Sequence, residues 1–220
     1  MNRKSLFSLS LVLIAILVTS TAVPGEELKP IQLLKPGMDS GSSLMLALQE
    51  RNSSRSFSDK ELPDQLLSNL LWAAFGVNRS DSGKRTAPSA KNWQEIDVYV
   101  ALAKGLFLYD AGSHTLKPVL AEDIRAAVGR QSFTSAAPVN LIYVADRGRM
   151  GGAADEEKDF YSATDTGFIS QNVYLFCASE GLATVVLGYV DKPALEKKMG
   201  LRPEQKVILT QPVGYPRSRP

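Results

Sequence analysis

The chain has one cysteine, Cys177, and one histidine, His114, among 220 residues. A single thiol excludes an intrachain disulfide framework and any cysteine-built zinc site, and a single imidazole excludes a multi-histidine centre. No metal is expected. Twelve Pro and sixteen Gly are too few for a collagenous or low-complexity chain. Neither sign of charge is in excess: 25 Lys and Arg against 23 Asp and Glu leave +2, which gives no reason to expect nucleic acid as a partner. Gly76 to Lys84 holds a Gly-Lys pair, but its spacing and Arg85 after it depart from a phosphate-binding Walker loop. No G-x-G-x-x-G follows a strand, and G-x-S-x-G is absent. His114 sits in a turn (DAGSHTL) and Cys177 in an apolar helix, so both read as structural.

Hydrophobic residues make up 44% and charged residues 22% of the sequence, enough for one domain with a sizeable core. The N-terminus carries Arg3 and Lys4, an apolar stretch from Leu6 to Val18, and the small residues Ser20-Thr21-Ala22. That order describes a secretory signal peptide over residues 1–22, since the apolar stretch falls short of the ~20 residues of a membrane span. The expectation is export to the periplasm or the outside, with no stable membrane insertion after cleavage. Without Arg3 and Lys4 the formal charges balance. Residues 23–41, interrupted by Pro and Gly, read as an extended arm, and residues 42–220 as one folded domain.

Within that domain Ser42 to Glu50 reads as a short helix. Ser58 and Glu61 make a capping box for a second, whose apolar face is Leu62, Leu66, Leu67, Leu70, Leu71 and Ala74, with Gly76 as its cap. Val77 to Lys91 is a polar loop. Ile96 to Leu102 and Leu106 to Tyr109 form a hairpin around Lys104-Gly105. Glu122 to Val128 reads as a helix, Pro138 to Ala145 as a central strand, and Phe160 to Glu180 as the longest helix. A strand at Ala183 to Leu187, a helix at Pro193 to Met199 and a strand at Lys206 to Val213 follow. The fold class is α+β.

Four separated segments carry the chemistry. Arg51-Asn52-Ser53-Ser54-Arg55-Ser56-Phe57 is a turn dense in donors, suited to a phosphate or another anion, or equally to solvent. The others are Arg85 to Asn92 (RTAPSAKN), Ala183 to Tyr189 (ATVVLGY) and the tail Pro212 to Arg219 (PVGYPRSR). Together, in this order, they resemble the FMN-dependent nitroreductase superfamily, nearest its azoline-oxidising dehydrogenase branch. RNSSRSF resembles R-x-S-x-R/K-x-F. APSAKN resembles A-P-S-x-x-N, and GLFLYDAGSHTL resembles the dehydrogenase hairpin. SQNVYLFCASEGLATVVLG is similar to Q-N-x-x-L-A-A-x-x-x-G-L-x-T, and PVGYPRSR to G-Y-P-x-x-R.

The resemblance implies a mixed, mostly antiparallel sheet flanked by helices, and a homodimer with exchanged tails. It implies FMN phosphate on Arg51, Ser53 and the tail arginines Arg217 and Arg219, with Arg55 toward the pyrimidine side of the ring and Asn52 also among the cofactor-binding residues. Pro88, Ser89, Ala90 and Asn92 would come from the partner subunit, and Gln131 would lie near the ring. Val185, Val186, Leu187 and Gly188 would pass its reactive edge, with the Leu187 N–H facing N5; no side chain is required as a catalytic acid or base. Better-known relatives carry an acidic residue where Leu187 stands, which removes a carboxylate that could place substrate. The implied activity is ping-pong hydride transfer between NAD(P)H or another reductant and a small conjugated acceptor. Alternatives are an azoline-oxidising dehydrogenase acting on a peptide or small molecule, and a flavin-binding module without turnover.

Overall fold

The computed structural model describes residues 27–217. The segment read as a signal peptide, and Arg219, lie outside them. Among the described residues nine strands and four α-helices follow one another as β1 (Ile31–Gln32), α1 (Leu44–Glu50), α2 (Asp64–Phe75), β2 (Val77–Arg79), β3 (Lys84–Arg85), β4 (Ile96–Leu102), β5 (Gly105–Asp110), β6 (Thr115–Leu120), β7 (Val139–Asp146), α3 (Asp155–Ser179), β8 (Ala183–Thr184), α4 (Lys192–Met199) and β9 (Gln205–Gly214). β2 and β3 pair alone; the other seven form one sheet in the order β1-β6-β5-β4-β7-β9-β8. The class is α+β, and every pairing between these strands is antiparallel.

Alternation along the central strands sorts their side chains between two cores. Ile96, Val98 and Val100 of β4 and Val139, Leu141, Tyr143 and Ala145 of β7 meet Leu67, Leu70 and Leu71 of α2 and Ile169, Val173 and Cys177 of α3. Tyr99, Ala101, Ile142 and Val144 point the other way, against Ile124, Val128, and Leu195 and Met199 of α4. The sheet is therefore covered on both faces. Among the described residues no helix is long and apolar enough to cross a membrane.

Several local expectations are corrected. α2 begins at Asp64, behind Pro63, and Ser58 caps nothing there: its Oγ accepts from the Lys60 N–H at 3.0 Å. A residue before proline is pushed out of the helical region, so Leu62 cannot continue a helix into Pro63. Gly76 ends α2 in an extended conformation, and it is glycine because a Cβ would stand 2.4 Å from Trp72 Cδ1. β6 follows the DAGSHTL turn as a strand that the sequence reading does not include. Only a 3₁₀ turn, Arg125–Ala127, forms where a helix was expected over 122–128. α3 starts earlier, at Asp155, where three acidic residues face the positive end of the helix.

The arm and the tail lie on their own chain. Ile31 and Gln32 pair with Leu116 and Thr115, the Gly37 N–H donates to Asn69 Oδ1 at 2.9 Å, and Ser68 Oγ donates to the Leu34 carbonyl at 2.5 Å. β9 sits between β7 and β8, and Pro216 bridges to Phe57. Within the described residues both segments make these pairings with their own chain.

Candidate functional site

Three of the four chemistry-bearing segments converge on a small apolar cluster: Phe57, Ala137, Ala183, Val185 and Leu187, flanked by Phe133 and Val190. The Phe57 and Phe133 rings stand 5.8 Å apart. Burying Phe57 anchors the RNSSRSF turn, and backbone hydrogen bonds fix its two sides. The Ser54 N–H donates to the Thr184 carbonyl (2.9 Å) and the Ser58 N–H to the Tyr215 carbonyl (2.9 Å). The Arg217 N–H donates in turn to the Ser56 carbonyl (3.2 Å). The donor-rich turn, the segment after α3 and the tail are thus one structural unit.

Polar side chains stand on the outer surface of that unit. Arg51 caps α1, its guanidinium 5.2 Å from the centroid of the Tyr174 ring. The Tyr174 phenol oxygen is 2.9 Å from Ser53 Oγ and accepts the Val186 N–H at 2.9 Å. Asn52 turns back, its Nδ2 donating to the Glu50 carbonyl (2.9 Å), and Arg55 is exposed. Gln131 belongs here as well. A Cβ on Gly129 would meet Gln131 Oε1 at 2.9 Å and Leu187 Cδ1 at 3.0 Å, so these two side chains share one niche. Gln131 Oε1 is buried without a hydrogen-bond partner.

Leu187 corrects an expectation. Its N–H, expected to face flavin N5, donates to the Thr210 carbonyl at 2.8 Å, and the Thr210 N–H returns to the Leu187 carbonyl at 3.1 Å. That two-bond bridge stitches the segment to β9 and consumes the amide. Gly188 is the next residue, exposed, and its N–H meets no acceptor among the described residues.

The fourth segment stands apart. The loop of Pro88, Ser89, Ala90 and Asn92 is tied to the N-terminal half of α3, where the Ala90 N–H donates to Asp165 Oδ2 at 2.8 Å. Asp165 and Tyr174 are separated by nine residues, about 14 Å of helix axis. One chain therefore does not bring this loop to the Arg51 turn. The loop is strained: Lys91, Asn92 and Gln94 have φ of 50°, 55° and 47°. Ser89 Oγ accepts the Gln94 N–H (2.8 Å) and donates to Glu95 Oε2 (3.2 Å). Glu95 is fully buried, and that burial, reinforced by the neighbouring Asp165 carboxylate, pushes its pKa up to about 7.

Tyr174, Glu95 and Asp165 escaped the sequence reading. Asp165 had a usable signal, because it falls on the stripe Ser162, Thr166, Ile169, Val173 and Cys177 that faces the sheet. His114 and Cys177 behave as read. His114 Nε2 is 2.8 Å from Ser68 Oγ and its Nδ1 2.9 Å from the Tyr109 hydroxyl. Because Ser68 donates to Leu34, it must accept from Nε2–H, which leaves Nδ1 to accept from Tyr109. The ring pins the arm. The buried Cys177 thiol is pushed well above its ordinary pKa by desolvation, hence unreactive.

An antiparallel sheet with helices on both faces, and a donor-rich turn joined to the strand that follows its longest helix, define an α+β protein of nitroreductase-like fold. The nitroreductase family pattern matches residues 48–215. The chain belongs to the nitroreductase family. It is 30% identical over 178 residues to a protein of Methanocaldococcus jannaschii named as a nitroreductase, covering 76% of this chain and 88% of that one. A crystal structure from Ralstonia eutropha JMP134, also named as a nitroreductase, superposes with a TM-score of 0.84 at 42% identity, covering 89% of this chain and 93% of the other. The Escherichia coli microcin synthetase McbBCD complex has a chain of the same fold: TM-score 0.66 at 19% identity, covering 95% of this chain and 85% of that one. Family and fold together identify the chain as an oxidoreductase of nitroreductase type.

Proposed function

We propose that the protein is an exported, FMN-dependent oxidoreductase acting on a small conjugated organic acceptor, with NAD(P)H or another reductant as donor. The observation that carries this reading is the convergence of Arg51, Ser53 and the Val185–Gly188 segment on one unit. The donor set fits the cofactor. A phosphate needs charge-assisted donors, which Arg51 and the Ser53 hydroxyl offer, and the ring's N–H needs an acceptor, which the orphaned Gln131 Oε1 offers. Bound FMN would supply the hydride chemistry, reductant and acceptor using its open face in turn.

The chain's own residues bind and orient. Arg55 brings a cation toward the pyrimidine side, where negative charge develops during reduction. The Gly188 N–H takes the place expected for Leu187 as backbone donor at the reactive edge. Asn52 serves the turn through Glu50 rather than contributing its amide outward. Arg217 joins the site through its position beside Ser56.

The separated loop of Pro88, Ser89, Ala90 and Asn92 supports a homodimer in which it reaches the other subunit's flavin. Phe160, Ala163, Gly167, Phe168 and Gln171 form an exposed stripe at three- and four-residue spacing on α3, and Leu44, Met45 and Leu48 are exposed on α1. Joining such faces would bury well over ~2,000 Å².

The test is the visible spectrum of the purified mature chain with added FMN, followed by anaerobic titration with NADPH and NADH. A flavin spectrum bleached by either nucleotide is expected. A flavin that neither reduces favours the dehydrogenase or binding-module reading, and no flavin binding contradicts the proposal. N-terminal sequencing from the native host tests export: a mature start at Val23 is expected, and a product retaining Met1 contradicts it.

A further inference from the structure

We infer that Tyr174 is a positioning residue of this site: its phenol, held by the Val186 N–H, turns the Ser53 hydroxyl so that its proton points outward to the anion beside Arg51. The inference rests on the FMN reading above and adds a residue whose place in the Q-N-V-Y-L run carries no motif identity.

The argument is one of hydrogen-bond polarity. A phenol has one proton to donate and lone pairs to accept with. The Val186 amide can only donate, so at 2.9 Å it occupies the Tyr174 oxygen as an acceptor. Among the described residues the Tyr174 proton then has one acceptor, Ser53 Oγ at 2.9 Å. If the direction were reversed, with Ser53 donating inward, the phenol would accept twice and its own proton would have no protein partner. With the phenol donating, every group is used, and the Ser53 proton remains to be given to a ligand. The bonds run Val186 N–H to Tyr174 Oη–H to Ser53 Oγ–H, all polarised toward the anion.

The same ring does a second thing. Arg51 lies over its face at 5.2 Å, which restricts a long side chain that would otherwise sweep solvent. One residue on α3 therefore orders both phosphate donors from its two surfaces, edge and face, and ties them to the segment ending in Gly188. The turn at 51–57 cannot drift relative to that segment without breaking the tyrosine's bonds.

Tyr174→Phe separates these contributions, since it keeps the ring, the Arg51 stacking and the packing and removes only the oxygen. FMN and riboflavin affinities would be measured by fluorescence titration for wild type, Tyr174→Phe, Ser53→Ala and the double variant, with thermal melts as a folding control. For Tyr174→Phe the expected result is FMN binding weakened about three- to fivefold, because Ser53 keeps its hydroxyl but loses its orientation, and riboflavin binding changed less than about twofold. Ser53→Ala, which removes the charge-assisted donor itself, should weaken FMN about tenfold, and the double variant should be no weaker than Ser53→Ala by more than about twofold, because the tyrosine acts through the serine. Wild type binding neither flavin overturns the FMN reading and this inference with it. Wild-type binding of FMN with unchanged affinity in Tyr174→Phe overturns the inference alone. Equal losses for both flavins, or additive losses in the double variant, also overturn it, since they mark a general structural role.

Discussion

The two halves of α3 support two kinds of site wall. Near Tyr174 the backbone of the 51–57 turn is ordinary, its side chains are mostly exposed, and its donors stand ready for a ligand. Near Asp165 the 88–95 loop holds three non-glycine residues at positive φ over two buried carboxyl groups, and its donors are used internally. Under the proposed function the first region meets an anion, while the second holds a shape. Free donors contribute binding energy when a ligand arrives, whereas satisfied buried ones contribute rigidity beforehand.

Arg51→Ala breaks the first region and should have the largest effect. It removes a guanidinium from the proposed phosphate site and should weaken FMN by roughly 2–4 kcal/mol, with a much smaller change for riboflavin. Equal losses, read by titration, would remove the phosphate assignment. Asp165→Ala breaks the second region. It leaves the Ala90 N–H without its acceptor and should cost about 1–3 kcal/mol of stability in chemical denaturation, with the loop loosened.

Glu95→Gln sharpens the contrast by pH. Burial raises the Glu95 pKa to about 7 from an ordinary 4.5, so the folded chain keeps a proton that the unfolded chain has lost. The wild-type contribution is complete below about pH 4.5 and declines as the pH rises toward about 7. Melts across that window should show a downward slope with rising pH in the wild type, flattened in Glu95→Gln. An identical slope in both proteins would remove Glu95 as its cause. The smallest effect belongs to Ser58→Ala, which should change stability by less than ~0.5 kcal/mol. Ser43→Ala should cost ~1 kcal/mol, because Ser43 and not Ser58 caps a helix, accepting the Leu46 N–H.

What was legible in the sequence follows the same divide. Period and alternation are local, so α2, α3, β4, β5 and β7 were readable. The motif-bearing turn and segment were readable because their residues keep their chemistry at the surface. Pairings between distant residues were not. Nothing near Leu187 announces that Thr210 takes its amide, and nothing near Ile31 announces that the arm will extend the sheet at β6. Ser58 to Glu61 fits a capping box letter by letter, yet Pro63 moves the helix start past it. Tyr174 looked like one more aromatic residue on an apolar helix; only its position opposite Ser53 and Val186 gives its oxygen a task.

The central claim is that each FMN site joins the Arg51 turn of one subunit to the Asn92 loop of its partner, and subunit mixing tests it most directly. Differently tagged Arg51→Ala and Asn92→Ala chains would be co-expressed, the mixed dimers purified through both tags, and bound FMN counted. Each parent homodimer should have both sites impaired. In a mixed dimer one site carries both lesions and the other carries none, so about one intact FMN site per dimer is expected. Mixed dimers no better than their parents, or a wild type that holds FMN as a monomer in sedimentation at micromolar concentration, would contradict a site shared between subunits.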